Sequence, residues 1–245
     1  MKATVLVPTD INEITLGSYQ KFINTSNKSN DNEFLAQKMV EIFCGIRLRD
    51  VLEISLSDVN SITAHLTEVF SNKPKFQNRF TIETPNKKIE FGFIPSLEDL
   101  SFGEYIDLES NLKDIKDFNK AMAVLYRPIV ETQGERYSIE KYEGTANYAE
   151  VMKSAPLGVA LSAKVFFYNL TNDLLNSSLI YLKQMKSKTT KEQTSRREDS
   201  SISNGDSIIQ YTQLLKETLD DLKKLQSCPY SSALRGLPLK NKKQK

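Results

Sequence analysis

A single histidine, His65, excludes at once a metal site built on two imidazoles and an acid–base relay passed between them. It falls beside an apolar helical stripe and reads as a helix-flank residue. Cysteine is almost as scarce. Cys44 and Cys228 stand far apart with no metal-ligand spacing, and Cys44 lies at an apolar helix end, which reads as core. The nine glycines form neither G-x-x-x-x-G-K-[ST] nor G-x-G-x-x-G, and no G-x-S-x-G elbow presents a nucleophile. No catalytic, cofactor-binding or metal-ligating residue is assigned, and the protein is expected not to be an enzyme. Long apolar runs are missing too: the best, Leu157–Leu170, is interrupted by Ser162, Lys164 and Asn169, short of the roughly twenty residues that a membrane-spanning helix needs. The opening "MKATVLVPTD" has no apolar stretch that would serve as a leader. Synthesis in a reducing cytoplasm and a soluble state follow as expectations. A net charge of +2 excludes a whole-surface field for polyanions, so charge has to be read locally.

What the sequence does contain is enough apolar material, 39% of 245 residues, for a sizeable core, and a phrase written twice. "DINEITLGSYQKF" at Asp10–Phe22 returns as "SLEDLSFGEYIDL" at Ser96–Leu108. Aligned on Gly17 and Gly103, the pairs include Ile11/Leu97, Glu13/Asp99, Ile14/Leu100, Thr15/Ser101, Leu16/Phe102, Tyr19/Tyr105 and Phe22/Leu108. Further on, "QKMVEIFCGI" (Gln37–Ile46) and "NKAMAVLYRPI" (Asn119–Ile129) match after one insertion, each a helix ending on a breaker and isoleucine. The expectation is a duplicated two-helix unit, Thr15–Ile46 and Ser101–Ile129, with Tyr19 and Tyr105 in matching apolar sites.

Local patterns fill in the rest. "ATVLVP" reads as a short strand closed by Pro8, and Asn12–Thr15 as a helix start. A helix over Asn32–Cys44 has Phe34, Met39, Val40 and Phe43 on its apolar stripe and Gly45 as C-cap. Ser57 is the expected N-cap of a helix with Val59, Ile62, Leu66, Val69 and Phe70 inward. "RFTIET" and "KIEFGFIP" alternate around "PNK" as a β-hairpin, and Asp117–Tyr126 is a helix halted before Pro128. Val130–Ser154 reads as an insert, followed by a long helix over Pro156–Gln184. The fold class is mainly α with a β component (α+β). Residues 1–76 form a helical unit, 77–95 the hairpin, 96–186 a second helical unit, 187–206 a polar basic linker, and 207–245 a helix with a basic tail.

Glu98, Asp99, Glu104, Asp107 and Glu109 crowd one short span. Most read as first-turn or solvent charges, with Glu98 and Asp99 stabilised by the helix dipole. In the C-terminal region Ile208, Tyr211, Leu215, Leu222 and Leu225 form a seam that requires cover from another chain or from the preceding long helix, and they are the expected partner-binding residues. Lys186, Lys188, Lys191, Arg196 and Arg197, with Lys240, Lys242, Lys243 and Lys245, are candidates for contact with nucleic acid or an acidic partner. DNA handling through these segments is the alternative function.

"EITLGSYQKF", "KMVEIFCGI", "GFIPSLEDLSFGEYIDL", "KAMAVLYRPI" and "PLGVALSAKVFFYNL" resemble a family of virion-associated proteins of tailed bacteriophages, including crAss-like phages. The resemblance covers about Val5–Tyr181. It implies a non-enzymatic structural or cargo component of the portal and tail region, located in the virion and acting in particle assembly or genome delivery. Its implied partners are other virion proteins, portal or tail subunits, and copies of itself. The resemblance implies no catalytic residues.

Overall fold

A computed structural model describes residues 5–167 except 86 and 97–99, with the isolated positions 169 and 180. Described residues up to Lys164 form one compact unit, and Val165–Phe167 belong to a second. The expected strand before Pro8 is not formed by residues 5–8. Instead, Asp10 accepts from the Asn12 amide and starts a single 3-10 turn, Ile11–Glu13. Thr15 then caps α1 (Leu16–Ser26) by accepting from the Ser18 amide at 3.2 Å.

α2 occupies Asn32–Cys44, the span that the sequence indicates. Asp31 caps its first turn, and Gly45, at φ 67°, ends it in the left-handed conformation that side chains disfavour. Its buried stripe is Leu35, Met39, Val40 and Phe43; Phe34 stands at the edge and Leu35 takes the inward place. After α3 (Leu48–Val51), α4 runs over Leu56–Ser71. Its cap is Ser55, two residues before the expected Ser57, because the Ser55 hydroxyl is the one that reaches the Asp58 amide. α1, α2 and α4 meet through aromatic rings, with centroids 5.2 Å apart for Phe22–Phe43 and 5.1 Å for Phe43–Phe70.

The hairpin is confirmed as β1 (Arg79–Glu83) and β2 (Lys88–Phe93), but it is half of a larger sheet. α5 (Phe102–Leu112) and α6 (Phe118–Leu125) follow, and α6 passes directly into β3 (Tyr126–Gln133), which returns through β4 (Arg136–Ile139). The four strands lie in the order β1-β2-β3-β4, all antiparallel. Pro128 therefore ends the helix as expected and then sits within a strand opposite Phe91. A proline is tolerated there beside the irregular pairing between Ile129 and Glu131. The first part of what reads in sequence as an insert, residues 130–139, belongs to the second half of a sheet. Tyr137 closes it: its hydroxyl donates to the Phe93 carbonyl at 2.7 Å, and its ring lies against Gly92, where a Cβ would come within 2.4 Å of Cε2.

α6 is buried on every side, from Phe118 through Leu125 with Lys120 the one solvent position, as a helix at the centre of a unit must be. The short α7 (Ala149–Met152) packs against it. The chain then crosses the start of α1: Leu16 donates to the Ala155 carbonyl (2.9 Å), Gly17 to that of Lys153 (2.7 Å), and Leu157 back to that of Ile14 (2.8 Å). Residues 157–167 are helical, and those from Leu157 to Ala163 are buried. Close crossing depends on small residues. A Cβ at Gly158 would meet Asn12 Oδ1 at 2.3 Å and Ile11 Cγ2 at 2.9 Å.

The helix–helix order of the two repeated phrases recurs, but the expected equivalence of their sites fails. Tyr19 is 4% exposed and Tyr105 is 54% exposed, and α2 stops at a glycine cap where α6 becomes a strand. The same cap chemistry starts both units, and different surroundings then receive them.

Gly158→Ala is expected to destabilise the protein by about 1–3 kcal/mol, the range for overpacking a filled site. Urea unfolding of the two forms measures it, with an unchanged slope showing that only stability has moved.

Candidate functional site

α5 carries Glu104, Asp107 and Glu109 within two turns, and it is set unusually in the fold. Its inward stripe is Glu104 and Leu108, with Asp107 and Asn111 half-buried. Its larger apolar residues point out: Phe102 is 78% exposed, Tyr105 54% and Ile106 44%. A helix that buries a carboxylate and exposes its aromatics needs an explanation on each face.

The inward face is explained by an ion pair. Ser101 accepts from the Glu104 amide at 3.3 Å, and Glu104 Oε2 accepts from the Ser101 amide at 2.8 Å, a complete capping box. The other oxygen, Oε1, accepts from Arg127 on β3 at 2.7 Å, with both side chains almost wholly removed from solvent. Arg127 stacks over Tyr142 with 5.8 Å to the ring centroid, and the Tyr142 hydroxyl donates to Asp107. Arg127 Nε is buried with no hydrogen-bond partner among the described residues. Both carboxylate oxygens of Glu104 are thus committed to holding α5 on the sheet. The expected solvent charge at Glu104 is a buried anchor instead, because β3, unforeseen from sequence, brings Arg127 beneath it.

Glu109 does remain at the surface, 3.9 Å from Lys113. Glu98 and Asp99 lie outside the described residues, as do Cys228, the seam Ile208, Tyr211, Leu215, Leu222 and Leu225, and the basic candidates Lys186, Lys188, Lys191, Arg196, Arg197, Lys240, Lys242, Lys243 and Lys245. His65 is exposed on α4 with Nε2 3.1 Å from the Pro8 carbonyl, the helix-flank position expected of it. Cys44 is half-buried beside Val40, Val51 and Val59, and burial pushes its thiol up to about 11. No group of three or more His, Cys, Asp or Glu among the described residues is placed to hold a metal ion, and no helix among them is long and apolar enough to cross a membrane.

Sequence reasoning missed Arg127 and Tyr142, since neither carries a local signal for a partner more than a turn away. It had the means to find the outward face. Phe102, Tyr105 and Ile106 share the i, i+3, i+4 spacing of one helix stripe, and Ser101-x-x-Glu104 is a capping-box pattern that directs the opposite stripe. A scan against protein-family models and searches of curated proteins and solved structures found no match.

Glu104→Ala should cost about 3 kcal/mol, since it leaves the Arg127 guanidinium buried without its counter-charge. Glu104→Gln, which keeps the acceptors, should cost less. Chemical denaturation ranks the three proteins, and equal stability of all three would remove the anchor role.

Alkaline stability gives a second measurement. Burial, then the nearby carboxylates, pushes the Tyr142 phenol upward, and burial and Glu140 push Tyr148 up to about 12; burial likewise raises Tyr126 and Tyr137. An unfolded tyrosine ionises near pH 10. The unfolded chain therefore loses protons first, so the stability from holding these phenols neutral is whole below about pH 10 and drains as pH rises toward 12 and beyond. Absorbance of tyrosinate should show these four ionising together with loss of helical circular dichroism. Tyr148→Phe should flatten the decline.

Proposed function

We propose that this protein is a non-enzymatic bacteriophage virion component that acts by contact, in particle assembly or genome delivery at the portal and tail region, and that the outward face of α5 is one of its contact surfaces. The observation that carries the reading is the inverted burial of α5: Phe102, Tyr105 and Ile106 face solvent on a helix fixed from behind by Glu104 and Arg127. A contiguous apolar patch on a helix that cannot rotate to hide it marks an interaction site in a soluble protein. Pre-organisation lowers the entropy cost of such binding, because the helix is already ordered. The phrase "GFIPSLEDLSFGEYIDL", which contains the helix as far as Leu108, is also, together with the "KAMAVLYRPI" that follows it, the most specific part of the resemblance to phage virion proteins.

Mass spectrometry of purified virions, before and after genome ejection, tests the location. Recovery with the particle is expected; loss on ejection identifies cargo, and retention identifies a structural part. Absence from particles at both stages overturns the reading. Phe102→Ser/Tyr105→Ser/Ile106→Ser should fold with wild-type stability to within about 1 kcal/mol, as exposed substitutions do, yet enter particles at a small fraction of the wild-type level.

A further inference from the structure

The two edges of the sheet are not alike. β4 is short, and its ladder to β3 is interrupted between Ile129 and Glu131, the kind of irregularity that keeps an edge from pairing further. β1 carries no such guard. It pairs with β2 in unbroken register from Arg79 to Glu83 and contains neither proline nor lysine.

Bonds at both ends of the β1–β2 ladder fix which backbone groups are left over. Phe93 donates to the Asn78 carbonyl at 2.7 Å and Thr84 to the Lys87 carbonyl at 2.9 Å, so by alternation Phe80 and Ile82 also turn their amides and carbonyls toward β2. Arg79, Thr81 and Glu83 turn theirs to the free edge, where no hydrogen bond reaches them among the described residues. Thr81 and Glu83 are exposed. Arg79 is held on the same face, donating to the Glu135 carbonyl at 2.7 Å with its guanidinium 4.4 Å from the Tyr137 ring centroid. Glu83 lies 3.1 Å from Lys88 in a surface pair, which holds it only weakly.

The order Arg-Phe-Thr-Ile-Glu complements its own reverse. Laid antiparallel on itself with Thr81 opposite Thr81, β1 sets Arg79 opposite Glu83 at both ends and Phe80 opposite Ile82. Every outward amide of one copy then meets an outward carbonyl of the other. Parallel pairing in register would instead place Arg79 on Arg79 and Glu83 on Glu83, and like charges directly opposite are destabilising.

We propose that β1 is a self-association edge: two copies of this chain join antiparallel through Arg79–Glu83 about a two-fold axis at Thr81, merging two four-stranded sheets into one. The contact is isologous, so it closes at a pair, and the interrupted β4 edge does not extend it. An edge this short falls below the roughly 1,200–2,000 Å² of a standard interface, and the dimer is accordingly weak, with Kd on the order of 10–1,000 μM. Copies held side by side in an assembly would populate it.

Sedimentation equilibrium of the full chain from about 10 μM to about 1 mM tests it, with a monomer–dimer equilibrium expected. Glu83→Lys and Arg79→Glu each set like charges opposite at both ends of the pair, and each alone should weaken the dimer by about tenfold or more. An equimolar mixture of the two should regain it as a heterodimer, because every contact between positions 79 and 83 is then of unlike sign. Thr81→Pro removes only an outward amide, which an edge strand tolerates, and should abolish the dimer while the β1–β2 ladder stays intact. Arg79→Glu also gives up Tyr137 and the Glu135 carbonyl, so Glu83→Lys, at an exposed position, decides the matter if another variant fails to fold. A chain that stays monomeric at the highest concentration overturns the proposal, as does a dimer undiminished by Glu83→Lys, which would place the contact elsewhere. Folded charge variants that fail to pair when mixed overturn the register. None of these failures bears on whether the protein is found in virions, which the particle analysis decides separately.

Discussion

The Gln20 side chain, buried on α1, donates from Nε2 to the carbonyls of Ile115 (2.8 Å) and Lys116 (3.1 Å) and to Asn119 Oδ1 (3.0 Å). Asn119, equally buried on α6, passes the relay on by donating from Nδ2 to the Ala149 carbonyl at 2.8 Å. Two amides thereby fix four elements: α1, the turn before α6, α6 itself and α7. Leaving such groups unpaired in a dry interior costs about 1–3 kcal/mol each, so the relay specifies one register of α1 against α6 and penalises the others. The position of β3 follows, since it continues α6 without a break, and with β3 comes Arg127. The anchor beneath α5 is therefore downstream of an amide pair on the far side of α6.

That dependence explains why α5 lies as it does. Transfer free energy alone would turn Phe102, Tyr105 and Ile106 inward. Instead the helix is rotated by its cap: once Ser101 and Glu104 close the capping box, Glu104 points along the inward stripe, and Arg127 is already waiting there. Turning the helix over would bury apolar surface at about 25 cal/mol per Å². It would also strip a buried guanidinium of its counter-charge, at a cost of about 3–5 kcal/mol that offsets much of that gain.

Much of the local structure was legible because its causes are local. Asn32–Cys44 carries its own cap, stripe and terminating glycine, and the hairpin carries its alternation. The α+β class followed from those pieces. The tertiary sheet was not legible. Tyr126–Gln133 holds a proline and few alternating apolar residues, and it becomes a strand because Phe91 and Phe93 of β2 are already beside it. The site was half legible for the same reason. Glu104 reads in sequence as a first-turn or solvent charge and Tyr105 as an echo of Tyr19, but what lies behind the one and over the other depends on partners distant in sequence: Arg127, and the Lys153–Pro156 crossing, which has no counterpart at α5 among the described residues. Repetition of a phrase transmits cap geometry, but burial only in part: Phe22 and Leu108 are both buried, whereas Phe102 and Tyr105 are exposed where Leu16 and Tyr19 are not.

The crossing of Lys153–Leu157 over α1 also sets an order of events during synthesis. The amides of Leu16 and Gly17 are made early and their acceptors late. At about 5–20 residues per second, the nascent chain spends several seconds with the Leu16 site open and with α6 lacking the buried helix that starts at Leu157. During that interval the apolar groups that Leu157–Ala163 will cover stand open to solvent and to neighbouring nascent copies, as incompletely packed chains do. Among the described elements the helix that starts at Leu157 is the last to be made, so fragments ending before it lack a wall of the core rather than an ornament of its surface.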